Sequence, residues 1–274
     1  MNHNSKLLFH IAYYMNPTKR VDNKHGMNKA SNEFTEHVLH GVKRFLNEIN
    51  QYEGFSQIDV ILDVNVENTD VSEIQPQDYE NINLKVECHN FEKEHPFRLT
   101  TKHRLSIKKN FDDYDWFGYS EDDTLIFADS VKYLVENSDK LYETERKVYS
   151  IPRLVYDVNN NYFFSDIREP SDIISSVNGK CVVPNNRFGA CWLYPKSVMN
   201  DWVTQPSFLN FNHPNKDGGI RVKMGIGRLD LKPIVPINDK NEPCIKCVHL
   251  GYCGKYYFPH PYKFHTLPLD KICK

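Results

Sequence analysis

Hydrophobic and polar positions alternate between two periods along the first half of the chain. Residues 7–14 are an apolar run of strand length. Phe34, Val38, Val42, Phe45, Leu46 and Ile49 then recur at helical spacing, with Ser31 and Glu33 suited to a helix start. Residues 57–64 form a second apolar run, so strand, helix and strand follow within about 60 residues, the βαβ arrangement of a mostly parallel sheet. Residues 83–88 predict a third strand and Leu99–Phe111 a helix. The mostly aromatic run Trp116–Tyr119 predicts a buried strand that stops at Glu121-Asp122-Asp123. Phe127, Val131, Leu134, Val135 and Leu141 mark another helix. Beyond residue 148 the pattern shortens. Residues 150–164 predict a hairpin around Asn159-Asn160-Asn161, and 204–219, with Pro206, Pro214, Gly218 and Gly219, predicts a mobile loop. The chain thus reads as an α/β half, 1–148, and a mixed half, 149–274, sharing one compact unit.

Composition narrows the function classes. The 274 residues include 16 Phe, 16 Tyr and 3 Trp, enough for a large core and incompatible with a disordered linker. A net charge of −2 gives no basic footprint, so nucleic acid is not expected as a partner. No apolar stretch approaches the ~18 residues of a membrane span, and no secretory signal is visible, so a cytoplasmic location with reduced thiols is expected.

The chemistry concentrates at Asp115-Trp-Phe-Gly-Tyr-Ser-Glu121-Asp122-Asp123. Ligands of α/β sheets bind at the carboxyl ends of strands. Three adjacent carboxylates repel one another unless a cation joins them. Their hard oxygens suit Mg²⁺ or Mn²⁺ shared with a substrate diphosphate. The plainer alternative is an acidic loop opening the next helix, where negative charge is favourable. In the tail, Cys244-Ile-Lys-Cys247, Cys253 and Cys273 provide thiolates in partial zinc-ligand spacing, with reduced thiols as the alternative.

A strand ending in Glu-Asp-Asp, after a helix bearing His103-Arg104, resembles the inverting GT-A glycosyltransferases with an EDD form of the DXD motif. The likeness is to N-acetylglucosaminyltransferase I-like enzymes and small bacterial and viral relatives. It implies a GT-A-like, Rossmann-like α/β fold with a mixed, mostly parallel sheet and flanking helices. It further implies a donor-binding half at 1–148 and an acceptor-binding half after it. Asp123 would bind the metal, with Glu121 assisting through water, and Glu121 and Asp122 would touch ribose or sugar. Tyr13, Tyr14, Asp63, His103 and Arg104 would line the nucleotide pocket. Phe188 to Trp202 resembles the segment closing over the donor sugar, making Asp201 the candidate base, with Asp217 and Asp230 behind it. His260 or His265 would be a late metal ligand. The implied reaction moves a sugar, with inversion, from a UDP-sugar to a glycan or other hydroxyl. The rival readings are a metal-dependent nucleotidyl- or phosphotransferase and a non-enzymatic module stabilised by zinc. Residues 15–30 contain only Gly26, against the Gly-rich loop of many nucleotidyltransferases.

Overall fold

The computed structural model describes residues 4–13, 32–65, 74–90, 99–122, 124–156, 162–164, 172–184, 191–209 and 230–249, with backbone alone at 32–40, 155–156, 162–164 and 249. The predicted early elements form: β1 (Ser5–Tyr13), α1 (Asn32–Ile49), β2 (Phe55–Asn65) and β3 (Asn83–His89). They are followed by α2 (Leu99–Lys109), β4 (Trp116–Glu121), β5 (Thr124–Ile126) and α3 (Ala128–Glu145). β4 joins the parallel set beside β1, and β11 (Cys191–Pro195) adds an antiparallel edge, giving the order β11-β4-β1-β2-β3. This is an α/β fold with a mixed, mostly parallel central sheet and helices on both faces.

The two faces are packed differently. Leu7, Phe9, Ile11 and Tyr13 of β1 join Val60, Leu62 and Val64 of β2 under Val42, Phe45, Leu46 and Ile49 of α1 and Val131, Leu134 and Leu141 of α3. The alternate residues, among them Leu8, Ala12, Ile61, Phe117 and Tyr119, pack against Leu99 and Ile107 of α2. That second face also receives Val198, Met199 and Trp202 of α4 (Lys196–Val203) and Phe208 of α5 (Pro206–Leu209). The period-2 alternation of strands makes this division unavoidable once both faces are covered.

Gly118 fixes how closely β1 and β4 approach. A methyl group placed there would lie 2.3 Å from a Phe9 ring carbon and 3.1 Å from Leu193. The bare backbone accepts the Phe9 ring, which sits edge-on to Phe45 at 5.8 Å. The resulting register sets Ala12 beside Glu121.

Two smaller sheets come from both halves of the sequence. The first contains β6 (Lys147–Tyr149), β12 (Lys232–Pro236), β10 (Gly179–Val182) and β9 (Ile173–Ser176), in that order. The second contains β5, β13 (Cys247–His249), β7 (Arg153–Tyr156) and β8 (Tyr162–Phe164). β7 and β8 are the predicted hairpin around 159–161. The proposed boundary at 148 is crossed by the pairings β11–β4, β12–β6 and β13–β5.

The stretch 204–219 departs from its expectation as loop at its start. Residues 206–209 form α5, because Phe208 is fully buried against Trp202, ring centroids 5.0 Å apart. Residues 210–219 lie outside the described residues. Among the described residues, no helix is long and apolar enough to cross a membrane.

Candidate functional site at the carboxyl edge of the sheet

The parallel register draws four positions from four strands into one row. Glu121 of β4 stands beside Ala12 of β1, Ala12 beside Asp63 of β2, and Asp63 beside Glu87 of β3. All lie near the carboxyl ends of their strands, on the face covered by α2. Three of the four are carboxylates, which places an acidic rim where α/β sheets bind ligands.

At one end of the row, Glu121 and Asp122 are 7% and 4% exposed. A tight turn holds them. The amide of Asp122 donates to the Ala12 carbonyl (3.1 Å), extending the β1–β4 ladder by one bond. The hydroxyl of the fully buried Ser120 donates across the turn to the Thr124 carbonyl (2.5 Å). Neighbouring carboxylates withdrawn from water are stabilised by a cation. Their oxygen-only donor set fits Mg²⁺ or Mn²⁺. Asp123, expected as the principal metal ligand, lies outside the described residues, as do Tyr14, Asp217, Cys253, His260, His265 and Cys273.

Further along the row, Asp63 is 1% exposed and held on both oxygens. Nδ1 of the fully buried His10 donates to Oδ2 at 2.8 Å, and Nε2 of His89 donates to Oδ1 at 2.7 Å. Burial raises the Asp63 carboxyl, but the charge and hydrogen bond of His10, reinforced by His89, together prevail and hold it below the ordinary carboxylate value. The pocket residue expected from the sequence is therefore the centre of an imidazole–carboxylate–imidazole chain. Glu87 joins it: Asp63, Glu87 and His89 each present a ligand atom within 4.8 Å of the others. The sequence signal was there in Glu87-Cys-His89, whose i, i+2 spacing puts both side chains on one strand face.

His103 and Arg104 are buried on α2. The His103 ring stacks on Tyr119 at 4.1 Å and lies 5.7 Å from Trp192. Burial, then the charges of Arg104 and His10, keep the imidazole well below the usual histidine value, so it is neutral at pH 7. Arg104 lies over the Trp202 ring at 4.7 Å, and Nη1 donates to the Phe208 carbonyl at 3.2 Å. Its desolvation brings it down to about 10, leaving it charged at neutral pH. Both residues thus join α2 to neighbouring aromatic side chains, and Arg104 fastens α5. Tyr13 is buried on the opposite face, in the α1 core.

β11 runs antiparallel to β4, from Cys191 beside Ser120 to Pro195 beside Trp116. α4 therefore starts at the amino edge, across the sheet from Glu121. Asp201 on α4 accepts a hydrogen bond from the Tyr142 hydroxyl at 2.6 Å and pairs with Arg146 at 3.6 Å. Asp230 is exposed just before β12. In the tail, the Cys247 thiol is buried and points at the carbonyls of Ile151 (3.7 Å) and Pro152 (3.6 Å). Burial raises the thiol of the partly exposed Cys244, disfavouring its thiolate.

A groove of about 660 Å³ opens between α2 and strands β2 and β3. Asp59 and Asn83 line one part, Glu87 and His89 another, and Lys102 and Lys109 face them from α2. Asp59 is occupied by the Tyr114 hydroxyl.

No protein-family model matches the chain, and no curated protein matches it. Among solved structures, it is similar to S. aureus TarS 1-349, at 12% identity and TM-score 0.46, over 89% of this chain and 60% of that one. It is also similar to the bifunctional glycosyltransferase WbbM, at 14% identity and TM-score 0.36, over 77% of this chain and 34% of that one. A third is 4-diphosphocytidyl-2C-methyl-D-erythritol synthase, at 11% identity and TM-score 0.35, over 88% and 92%. The chain spans about 60% of the length of TarS 1-349. At these TM-scores the likenesses carry no weight for activity, and the α/β architecture stands on the strand order of the chain itself.

Proposed function

We propose that this protein is a metal-dependent glycosyltransferase that moves a sugar from a nucleotide sugar, UDP-linked, to a hydroxyl of a glycan or similar acceptor. The observation that carries the reading is the pair of buried carboxylates, Glu121 and Asp122, at the carboxyl end of central strand β4. With Asp123 next in the chain, they form a hard-oxygen set suited to Mn²⁺ or Mg²⁺. When bound, that ion supplies positive charge to the departing diphosphate.

The chain's own residues do the remaining work. The Ser120–Thr124 bond keeps the acidic turn at the sheet edge. Neutral His103 and charged Arg104 brace α2 against Tyr119 and α5. A carboxylate takes the acceptor hydroxyl proton. The acceptor oxygen then bonds to the anomeric carbon as the bond to diphosphate breaks, its electron pair leaving with the diphosphate, and configuration inverts. Asp201, Asp217 and Asp230 are the candidate bases. Asp201 lies on α4, which starts at the amino edge, and already serves Tyr142 and Arg146, so Asp201→Asn should lower stability more than rate, and Asp217 and Asp230 are the stronger candidates.

The test is thermal stability with UDP, GDP and UTP, each with and without Mn²⁺, for the wild type and for Asp122→Asn and Asp123→Asn. A ligand at 100 times its Kd adds about 2.7 kcal/mol. Stabilisation by UDP only with Mn²⁺, lost in both variants, supports the reading and directs a screen of UDP-sugars for turnover. Preference for UTP with release of pyrophosphate would make the chain a nucleotidyltransferase. No shift with any nucleotide would overturn the proposal.

A further inference from the structure

The middle of the acidic rim carries a donor cluster to which the transfer step itself assigns no role. Asp63 is buried in the sheet, yet Oδ1 faces the His89 Nε2 at 2.7 Å and Glu87 completes a set of three donors within 4.8 Å. Glu87 and His89 are partly exposed and line the groove beneath α2, so the cluster has a solvent side. Behind it, His10 holds Oδ2 of Asp63 at 2.8 Å. A carboxylate gripped on one oxygen by a buried imidazole, with the other oxygen aimed at a second imidazole, is oriented as ligating carboxylates are by their outer hydrogen-bond partners.

We propose that Asp63, Glu87 and His89 form a divalent cation site of mixed nitrogen and oxygen character, of the zinc class, separate from the cation site proposed at the Glu121–Asp122 turn. Spacing, donor type and separation support it.

The first is spacing. Donors bound at about 2.0–2.2 Å to one ion stand roughly 3–3.5 Å from each other. The Asp63 and His89 atoms are already closer than this, and Glu87 closes by rotating its own half-exposed side chain. Glu87 is bonded to Lys85 Nζ at 2.5 Å, but Lys85 is 68% exposed, so a divalent ion can displace it.

The second is donor type. One imidazole with two carboxylates suits Zn²⁺, Co²⁺ or Mn²⁺, whereas Mg²⁺ favours oxygen alone. Three protein ligands with an open side is the arrangement of an exchangeable site, unlike the closed four-ligand set of a structural zinc. Lys102 and Lys109 across the groove would favour an anion as the remaining ligand.

The third is separation. Glu121 and Asp63 flank Ala12 on strands two places apart. Two strand spacings amount to about 10 Å. Asp63 also turns its two oxygens to His10 and His89, so the rim offers two sites of different chemistry on one row.

The experiment is a ZnCl₂ titration by isothermal calorimetry. It uses the 274-residue protein and, to remove thiolate binding by the tail, a Cys244→Ser/Cys253→Ser/Cys273→Ser background of the same length, in which Cys247 is buried. Into that background go Glu87→Gln, His89→Gln and, as the control for the other site, Asp122→Asn. We expect zinc binding to persist in the background and in Asp122→Asn. It should weaken at least about tenfold in both Glu87→Gln and His89→Gln. Both substituted side chains sit on edge strand β3 and are partly exposed, and circular dichroism melts establish that each variant is folded. Absence of zinc binding in the background, or binding that Glu87→Gln and His89→Gln leave unchanged, would overturn the proposal. The readout contains no nucleotide, so its failure is distinct from failure of the glycosyltransferase reading.

Discussion

The two faces of the central sheet are built from alternate residues of the same strands, yet they differ in kind. Under α1 and α3 the packing is apolar: Phe9, Phe45, Leu46, Val60 and Leu134 meet with little polarity. Under α2 the same strands turn His10, Asp63 and Glu121 inward, and the helix answers with His103 and Arg104. Burying such groups costs stability unless they are paired. Among the described strand residues, the buried imidazole of His10 and the buried carboxylates of Asp63 and Glu121 all lie on the second face. The first face is scaffold; the second is where chemistry is to be sought.

Four substitutions, one of them with a second-site partner, would break or sharpen that contrast, in order of expected effect. Phe45→Ala on the scaffold face should cost about 3–5 kcal/mol in urea denaturation, with no change of slope against pH. Asp63→Asn on the other face should cost up to about 3 kcal/mol at pH 7, because the buried His10 and the partly exposed His89 lose the carboxylate that both contact. The Asp63 carboxyl is held below its unfolded value of 3.8, so its contribution is complete above that pH. It fades as pH falls through the lowered folded value, and the wild type and Asp63→Asn should converge there. A gap independent of pH would mean that Asp63 acts by packing alone, and the contrast between faces would weaken.

Gly118→Ala should cost about 1–3 kcal/mol by driving a methyl group into the Phe9 ring. Trimming that ring with Phe9→Leu should recover part of the loss, which a double-mutant cycle measures as a favourable coupling. The smallest effect is expected at Tyr142→Phe. It removes one hydrogen bond to the half-exposed Asp201 and should cost roughly 0.5–1 kcal/mol.

The scaffold face was legible in the sequence because its signals are local. Val42, Phe45, Leu46 and Ile49 announce α1 by spacing, and residues 7–14 and 57–64 announce their strands by length and hydropathy. The acidic turn was legible for the same reason, since Glu121 and Asp122 adjoin. The cluster at Asp63 was not assembled from sequence, because its members lie on two strands and meet only through the β2–β3 register. α5 was hidden as well: Pro206 reads as a loop breaker, and only the pocket formed by Trp202 and Arg104 makes Phe208 a core residue. Long-range register and the cavities left by other elements are what periodicity does not encode.

The pairing of β5 with β13 has a consequence for the order of assembly. The Ser130 hydroxyl, at the start of α3, is bonded to the Lys246 carbonyl across 116 residues, and β5 finds its partner at Cys247–His249. During synthesis at about 5–20 residues per second, the strand that follows the acidic turn therefore waits several seconds or longer for its neighbour. Until then β1, β2 and β3 can pair among themselves, but the platform beyond Asp122 lacks its flanking strand. The acidic turn thus gains its flanking strand only after Cys247–His249 has emerged, long after β1 to β4.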